Sequence, residues 1–549
     1  MSLPVFLLTY TSRRACTALL VAVLCACGGE SATPVATPTG VAGPAPAAGA
    51  MAQNAPPQFF ADQKPIWTAC DLASLPGEHH SDLAQLGGRV QCASMRVPID
   101  YDNPTQGELD IAMMRVAAEN PHKRLGSILF NPGGPGTDGL QFGVLKGIQA
   151  KRASLADPAS RLLKQISESY DLIGFTPRAM GGSTPMYVFV PDGYQSSHQS
   201  LIFGNTEETV TKAQQHARLH TQALLAHPWS KHIHTEAIAR DMNLMREVLG
   251  DAKLNYIGYS YGTWLGAWYA SLFPQRVGRM LLDSSMNIAA AFDKGKDTAM
   301  ARRRLLDEVM LPYFARHLNT FGRGSDPADI RRRLLAMSPA AKNLWFTRLN
   351  LKDPAGIVAS GHQTNNAIIM QSLGQPVPES ETLHAQLSKM LDAPAAGPSS
   401  KSRVYDAASS VHWCVTCNDT GNAGDERSWI QEGMVDAARY PLTGGHDVSN
   451  RCLYWGAPAR IRPSLAAMTA PILMLQSYYD AVTPVEGAME TLNALPNAHM
   501  MVVENEYKHG LFPYGKASVD AKVAEYFLTG TLPFGRVSYH AGKPLPMPY

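Results

Sequence analysis

Short apolar runs, each closed by turn residues, recur along the first half of the chain. "GSILFNP" (126–132) and "YDLIGF" (170–175) are of this kind. A parallel strand buried on both faces shows such a run because it has no polar face to alternate with. "GELDIAMMRVAA" (107–118) alternates weakly and is also read as a strand. At about Glu236–Leu249 the period changes, with Ile238, Met242, Met245 and Leu249 at helical spacing. The strand "KLNYIGY" follows, then a helix from Tyr261, then the strand "VGRMLLD" (277–283). Strand and helix in alternation predict an α/β fold, a mostly parallel sheet with helices on both faces.

From about Asn287 the pattern changes again. Helical, charged stretches alternate with Pro/Gly-rich loops such as Asp392–Ser400. This segment, 287–469, reads as a helical cap inserted into the sheet. The strand pattern resumes with "APILMLQSYYD" (470–480) and "HMMVVENEYKHG" (499–510), followed by a helix near Val519–Leu528. The core is therefore expected in two parts, 58–286 and 470–549. No internal repeat is visible.

The N-terminus departs from this pattern. Arg13 and Arg14 precede an apolar run from Ala15 to Ala26, then "LCACGGE". A short basic start, a short apolar core and small residues make an export signal over 1–27. A run of about 12 apolar residues is too short to span a bilayer. Leu24 and Ala26 ahead of Cys27 resemble a lipoprotein signal, which would make Cys27 a lipidation site; the alternative is plain cleavage without lipid. Residues 28–57 are rich in Ala, Pro, Thr and Gly with hardly any charge. Such a stretch cannot bury a core and reads as a flexible tether.

Composition narrows the classes. Apolar residues make up 45 %, charged residues 17 %, and the net charge is +2. That is ordinary for a globular protein with a large core. It lacks the basic face of a nucleic-acid binder, so runs such as Arg302–Arg304 and Arg331–Arg333 read as solvated helix faces. Any membrane contact is expected only through an N-terminal lipid. Of the eight cysteines, Cys70, Cys92, Cys414, Cys417 and Cys452 lie outside the signal. In an exported protein they can form disulfides. Cys70 with Cys92 closes a local loop, and Cys452 pairs with Cys417 or Cys414. Cys414 and Cys417 are spaced like a zinc or redox site, but a second CxxC is missing, and a structural bridge is expected instead.

The chemistry centres on "GYSYG", Gly258–Gly262. It follows a strand and opens a helix, the context a nucleophile turn requires. That placement makes Ser260 the candidate nucleophile. "NPGGPG" (131–136) follows the strand "GSILF" and fits an oxyanion loop. The expected donors are the N–H of Gly133 or Gly134 and that of Tyr261. Each such donor is typically worth about 3 kcal/mol in the transition state. Asp480 ends a strand and His509 lies beyond the next one, so the order is Ser, Asp, His. A serine hydroxyl needs a base to take its proton, and the carboxylate orients that base. Asp283, at the end of an earlier strand, is the rival acid.

Several segments together resemble the proline-iminopeptidase-like serine peptidases, within them the secreted tripeptidyl-aminopeptidase group. They include "CASMRVPIDYDNP" (92–104), "NPGGPG", "YDLIGFTPRAMGGSTP" (170–185), "LNYIGYSYGTWLGAWYASLFPQRVGRMLLD" (254–283), "CND" (417–419), "CLYW" (452–455), "PILMLQSYYDAVTP" (471–484) and "HG" (509–510). The resemblance runs from Trp67 to Pro533. It implies an α/β-hydrolase fold with a helical cap, an N-terminal exopeptidase activity, and Ser260, Asp480 and His509 as the triad. The chain departs from the family at Thr176 and Ala179, which stand where it usually has an acid and a glycine, and in lacking the family's usual cysteines before the Glu236 helix and near the last helix.

The expected function is removal of short peptides from free N-termini, without metal or organic cofactor. An esterase or amidase acting on small molecules uses the same triad, and a tethered binding protein without catalysis is a third class. Asp419 in "CND" is the candidate partner of the substrate's ammonium group; the alternative is that it caps a helix or turn.

Overall fold

The continuous apolar runs become the centre of a large sheet. The computed structural model describes residues 58–545, except 72, 74–79, 154–155, 191–206, 293–297, 317–325, 337–402, 406, 422–423 and 445–450. The expected signal, Cys27, the tether and much of the expected cap lie outside the described residues. The described strands are β1 (Thr68–Ala69), β2 (Val90–Pro98), β3 (Glu108–Val116), β4 (Gly126–Asn131), β5 (Tyr170–Phe175), β6 (Val188–Val190), β7 (Leu254–Tyr259), β8 (Val277–Asp283), β9 (Arg403–Tyr405), β10 (Ile472–Ser477), β11 (Ala498–Glu504) and β12 (Val537–Ala541). Ten of them form one sheet in the order β1-β2-β3-β5-β4-β7-β8-β10-β11-β12. From β5 to β12 all neighbours are parallel. The β1, β2 and β3 edge is antiparallel.

The sequence patterns have a direct physical counterpart. Every residue of β4, β5, β7 and β10 is buried. These strands lie inside the parallel sheet, with apolar layers above and below. In β10, Ile472 and Met474 enter one layer, and Leu473 and Leu475 enter the other. The weakly alternating β3 buries alternate positions over much of its length and sits towards the antiparallel edge. Helices Thr235–Val248 and Tyr261–Leu272 fill the first layer. Helices Phe142–Arg152 and Ala517–Thr529 pack in the second.

The segment between β8 and β10 is mainly helical in its described part. Helix Ala407–Thr420 places Val411, Cys414, Val415 and Cys417 in the same apolar layer as helix Tyr261–Leu272. A smaller apolar cluster built on Leu305, Met310, Phe314 and Ile330 reaches Ala481 and Tyr507. The insertion therefore packs on the loops that follow β10 and β11. Its short strand β9 pairs antiparallel with β6. Ile288, just inside the expected insertion, is fully buried in the main core, and its N–H donates to Thr491 Oγ1 at 2.9 Å.

Two disulfides are present. Cys70–Cys92 joins β2 to the residue after β1, and Cys417–Cys452 ties the insertion helix to the segment leading back to β10. Cys414 is a buried free thiol. In the chain-entropy account, bridges closing 22 and 35 residues each add about 3–4 kcal/mol.

Candidate active site

Ser260 lies between β7 and helix Tyr261–Leu272, with φ 56° and ψ −123°. That backbone conformation is costly for a residue with a Cβ and needs support from its surroundings. The support is visible. The Ser260 N–H donates to the Asp283 carbonyl at 3.1 Å, and the Thr263 N–H donates to the Ser260 carbonyl at 2.8 Å. The flanking glycines are required sterically. A Cβ on Gly258 would lie 2.4 Å from the Gly262 carbonyl oxygen, and one on Gly262 would lie 2.7 Å from that of Asn131. The turn thus leaves the half-buried Ser260 at the C-terminal edge of the sheet, where open α/β sheets bind their ligands.

His509 and Asp480 come to the same edge on the loops after β11 and β10. His509 Nδ1 is 2.8 Å from Asp480 Oδ2. Asp480 is fully buried, and its Oδ1 accepts the N–H groups of Val482 (2.8 Å) and Thr483 (2.9 Å). The Thr483 hydroxyl donates to Asp480 Oδ2 at 3.0 Å and lies 3.4 Å from His509 Nδ1. Sequence reading did not single out Thr483. Its signal was its place three residues after Asp480, a spacing suited to a side chain that closes its own turn.

Asp283 sits elsewhere. Its carboxylate accepts the N–H of Leu511 (3.0 Å) and of Phe512 (2.7 Å), main-chain groups of the His509 loop. It is fully buried, and burial pushes its carboxyl up to about 6 against those hydrogen bonds. The same residue thus holds the Ser260 turn by its carbonyl and the His509 loop by its carboxylate.

The candidate oxyanion loop bears on the choice between Gly133 and Gly134. The Gly133 N–H donates to Asn131 Oδ1 at 3.0 Å, so it is engaged within the loop. Gly133 serves by its lack of a side chain: a Cβ there would lie 2.6 Å from the Tyr259 carbonyl oxygen and 2.9 Å from Ser260 Cβ. Gly134 is exposed, and Tyr261 supplies the first N–H of its helix. Helix Ala407–Thr420 packs against the loop: His412 Nδ1 is 2.9 Å from the Pro135 carbonyl oxygen.

Asp419 lies near the end of helix Ala407–Thr420, with its carboxylate against the N-terminus of helix Thr235–Val248, whose N-cap is His234. It is buried and accepts from the Thr235 N–H (3.3 Å), from Trp264 Nε1 (3.2 Å) and from the Thr235 hydroxyl. The Thr235 hydroxyl is also 2.7 Å from that of Tyr261. Burial pushes the Asp419 carboxyl up to about 6. Its oxygens thus serve the N-terminus of helix Thr235–Val248 and the Trp264 indole, with the Tyr261 hydroxyl one step further on through Thr235. Buried and holding these donors, the Asp419 carboxylate is engaged within the fold.

The departures at Thr176 and Ala179 are accommodated locally. The Thr176 hydroxyl donates to Asp138 Oδ1 at 2.8 Å, so a carboxylate still stands beside this position, supplied by the oxyanion loop. Ala179 keeps a left-handed φ of 65°, the region where glycine is favoured.

A sequence profile of the alpha/beta hydrolase fold matches residues 126–516. The chain is 27 % identical over 470 residues to the tripeptidyl aminopeptidase of Streptomyces coelicolor, covering 80 % of this chain and 81 % of that one. It is 25 % identical over 521 residues to the serine protease Hip1 of Mycobacterium tuberculosis, covering 88 % and 92 %. A carboxylesterase B of Mycobacterium tuberculosis is 26 % identical over 465 residues, covering 81 % and 85 %. With its central parallel sheet and the serine turn after β7, this chain belongs to the alpha/beta hydrolase fold family, as a serine hydrolase.

Proposed function

We propose that the protein is a serine exopeptidase that cleaves short peptides from free N-termini. The observation that carries the catalytic part is the 2.8 Å contact of His509 Nδ1 with buried Asp480, on a loop tied to the same residue as the Ser260 turn. In this reading the imidazole takes the Ser260 proton as the hydroxyl attacks the scissile carbonyl. Asp480 holds the tautomer that leaves Nε2 free to accept and stabilises the imidazolium that forms. The N–H groups of Gly134 and Tyr261 face the developing oxyanion. His509 then protonates the leaving amine, and water resolves the acyl-enzyme by the same route in reverse. The chemistry runs on these side chains and water alone.

The exopeptidase part is supported by the name of the Streptomyces relative. An esterase or amidase on small molecules is the second reading, supported by the carboxylesterase relative. The two differ in what they require of the substrate. An exopeptidase measures from the chain end, whose chemical mark is the ammonium group, and a charged partner binds it more strongly than a neutral one. Acetylating a tripeptide-linked fluorogenic amide is expected to lower kcat/KM by about 100-fold or more, since each 1.4 kcal/mol is a factor of ten. Equal rates for the free and acetylated amides would replace the exopeptidase reading with the esterase or amidase one.

Two disulfides in the folded chain fit an exported protein. We further propose that Cys27 carries a lipid and that residues 28–57 tether the enzyme to the envelope. Intact-mass measurement of the membrane fraction is expected to show a diacylglyceryl adduct on a chain beginning at Cys27. An unmodified soluble protein with another N-terminus would rule this out.

A further inference from the structure

The loop that presents His509 is held by its main chain at five points. The Gly510 N–H donates to Ser284 Oγ at 2.8 Å, and those of Leu511 and Phe512 donate to Asp283. The Lys508 carbonyl accepts from Ser477 Oγ at 2.6 Å. The fifth point is the Phe512 carbonyl, which accepts from the Tyr259 hydroxyl (2.7 Å) and from Lys146 Nζ (3.1 Å). Tyr259 immediately precedes Ser260, so this carbonyl links the histidine loop to the serine turn.

Lys146 is an unusual residue for such a place. It lies on helix Phe142–Arg152, half-buried, on the face that packs under the sheet. Its ammonium stands 5.3 Å from the Phe142 ring centre and 5.4 Å from that of Tyr259. A lysine set between aromatic rings has lost much of its water, and the Phe512 carbonyl takes the place of that water.

We propose that Lys146 and Asp283 are positioning residues for the general base: Asp283 holds the N–H groups of Leu511 and Phe512, and Lys146, with Tyr259, holds the Phe512 carbonyl, so that His509 is set against Ser260. The proposal rests on the reading of Ser260 and His509 given above. It assigns a task to two ionisable groups that the triad itself does not use.

The electrostatics give it a signature. Lys146 faces the carboxylates of Asp283 and Asp520, which favour its charge, and Lys508, which opposes it. Asp283 faces His509 and Lys146, and the Tyr259 hydroxyl feels both Asp283 and Asp520. Burial outweighs these charges and pulls Lys146 down to about 8. Above that pH the folded protein loses the charge while an unfolded chain would keep it. The unfolded state then binds more protons, so this lysine makes the fold more stable as pH rises. The same deprotonation weakens the charge-assisted bond to Phe512. Activity and stability should therefore move in opposite directions above about pH 8.

The test uses the full chain. Rates of Ser260 inactivation by a fluorophosphonate, and kcat and KM on one peptide amide, are measured from pH 5 to 10 for the wild type and Lys146→Met. Methionine keeps the length and removes the charge. The wild type is expected to lose rate above about pH 8 while its melting temperature rises relative to that of Lys146→Met. Lys146→Met should show about a tenfold lower kcat at neutral pH, a KM within about twofold, and no loss of rate at pH 8–9. A Lys146→Met profile superimposed on the wild type, or a change in KM alone, overturns the proposal. If Lys146→Met does not fold, Tyr259→Phe removes the other donor to the Phe512 carbonyl and keeps the ring. A lowered kcat that still falls above pH 8 supports the proposal, and an unchanged kcat overturns it. Failure of the underlying reading looks different: probe labelling would then persist in Ser260→Ala.

Discussion

Ser260→Ala is expected to lower turnover by about 10⁴-fold or more, with the melting temperature within a few degrees of the wild type. The size follows from removing the one atom that bonds to substrate; what remains is binding and oxyanion stabilisation, which by themselves exceed water by only about 10³–10⁴. The fold should survive because alanine keeps the Cβ that the φ 56° turn already accommodates, and the bonds that hold the turn are main-chain ones to Asp283 and Thr263. Steady-state rates on the peptide amide, fluorophosphonate labelling and thermal melts of the purified variant check this. Retained turnover or retained labelling would refute Ser260 as the nucleophile. An active protein that labels only through Ser260 also disposes of the third class, a tethered binder without catalysis.

Asp480→Asn is expected to cost about 10³–10⁴-fold in kcat, against roughly tenfold for Asp283→Asn. The difference lies in what each carboxylate touches. Asp480 Oδ1 accepts two main-chain N–H groups, so the amide oxygen of asparagine would stay there. The NH₂ would then face the Thr483 hydroxyl and His509 Nδ1, where Oδ2 had accepted. Facing a donor, Nδ1 must become the acceptor, which puts the imidazole proton on Nε2, pointed at the serine it should deprotonate. Asp283 has no such contact in its hydrogen bonds to the loop; it acts on the main chain of Leu511 and Phe512. Its loss loosens the loop and leaves the tautomer alone. Parallel kcat measurements on the two variants decide the matter, and the reverse ranking would move the acid to the earlier strand.

Much of the scaffold is legible in the chain because its signals are local. β4, β5, β7 and β10 read as continuous apolar runs since each is covered on both faces. The edges are harder. β12 is nowhere fully buried, β1 has two residues, and β6 with β9 forms a pair whose partners lie more than 200 residues apart. Helices Phe142–Arg152 and Pro158–Ser169 are likewise absent from the sequence expectations; the first carries a lysine and two glycines on a face that packs against the sheet, which obscures its period.

For the site, the sequence by itself determined the residue types, their order and the elements that carry them: a serine between strand and helix, then an aspartate and a histidine after two later strands. Those are properties of neighbouring residues, and hydrophobic periodicity and turn chemistry report them. Tertiary structure alone decided the rest. It turned the Gly133 N–H onto Asn131, chose Cys417 over Cys414 as the partner of Cys452, and spent the Asp419 carboxylate on a helix N-terminus. It also brought Lys146 to a carbonyl 366 residues away. The reason is physical: the direction of an N–H, the partner of a thiol and the desolvation of a charge depend on atoms that packing brings close, wherever they stand in the chain.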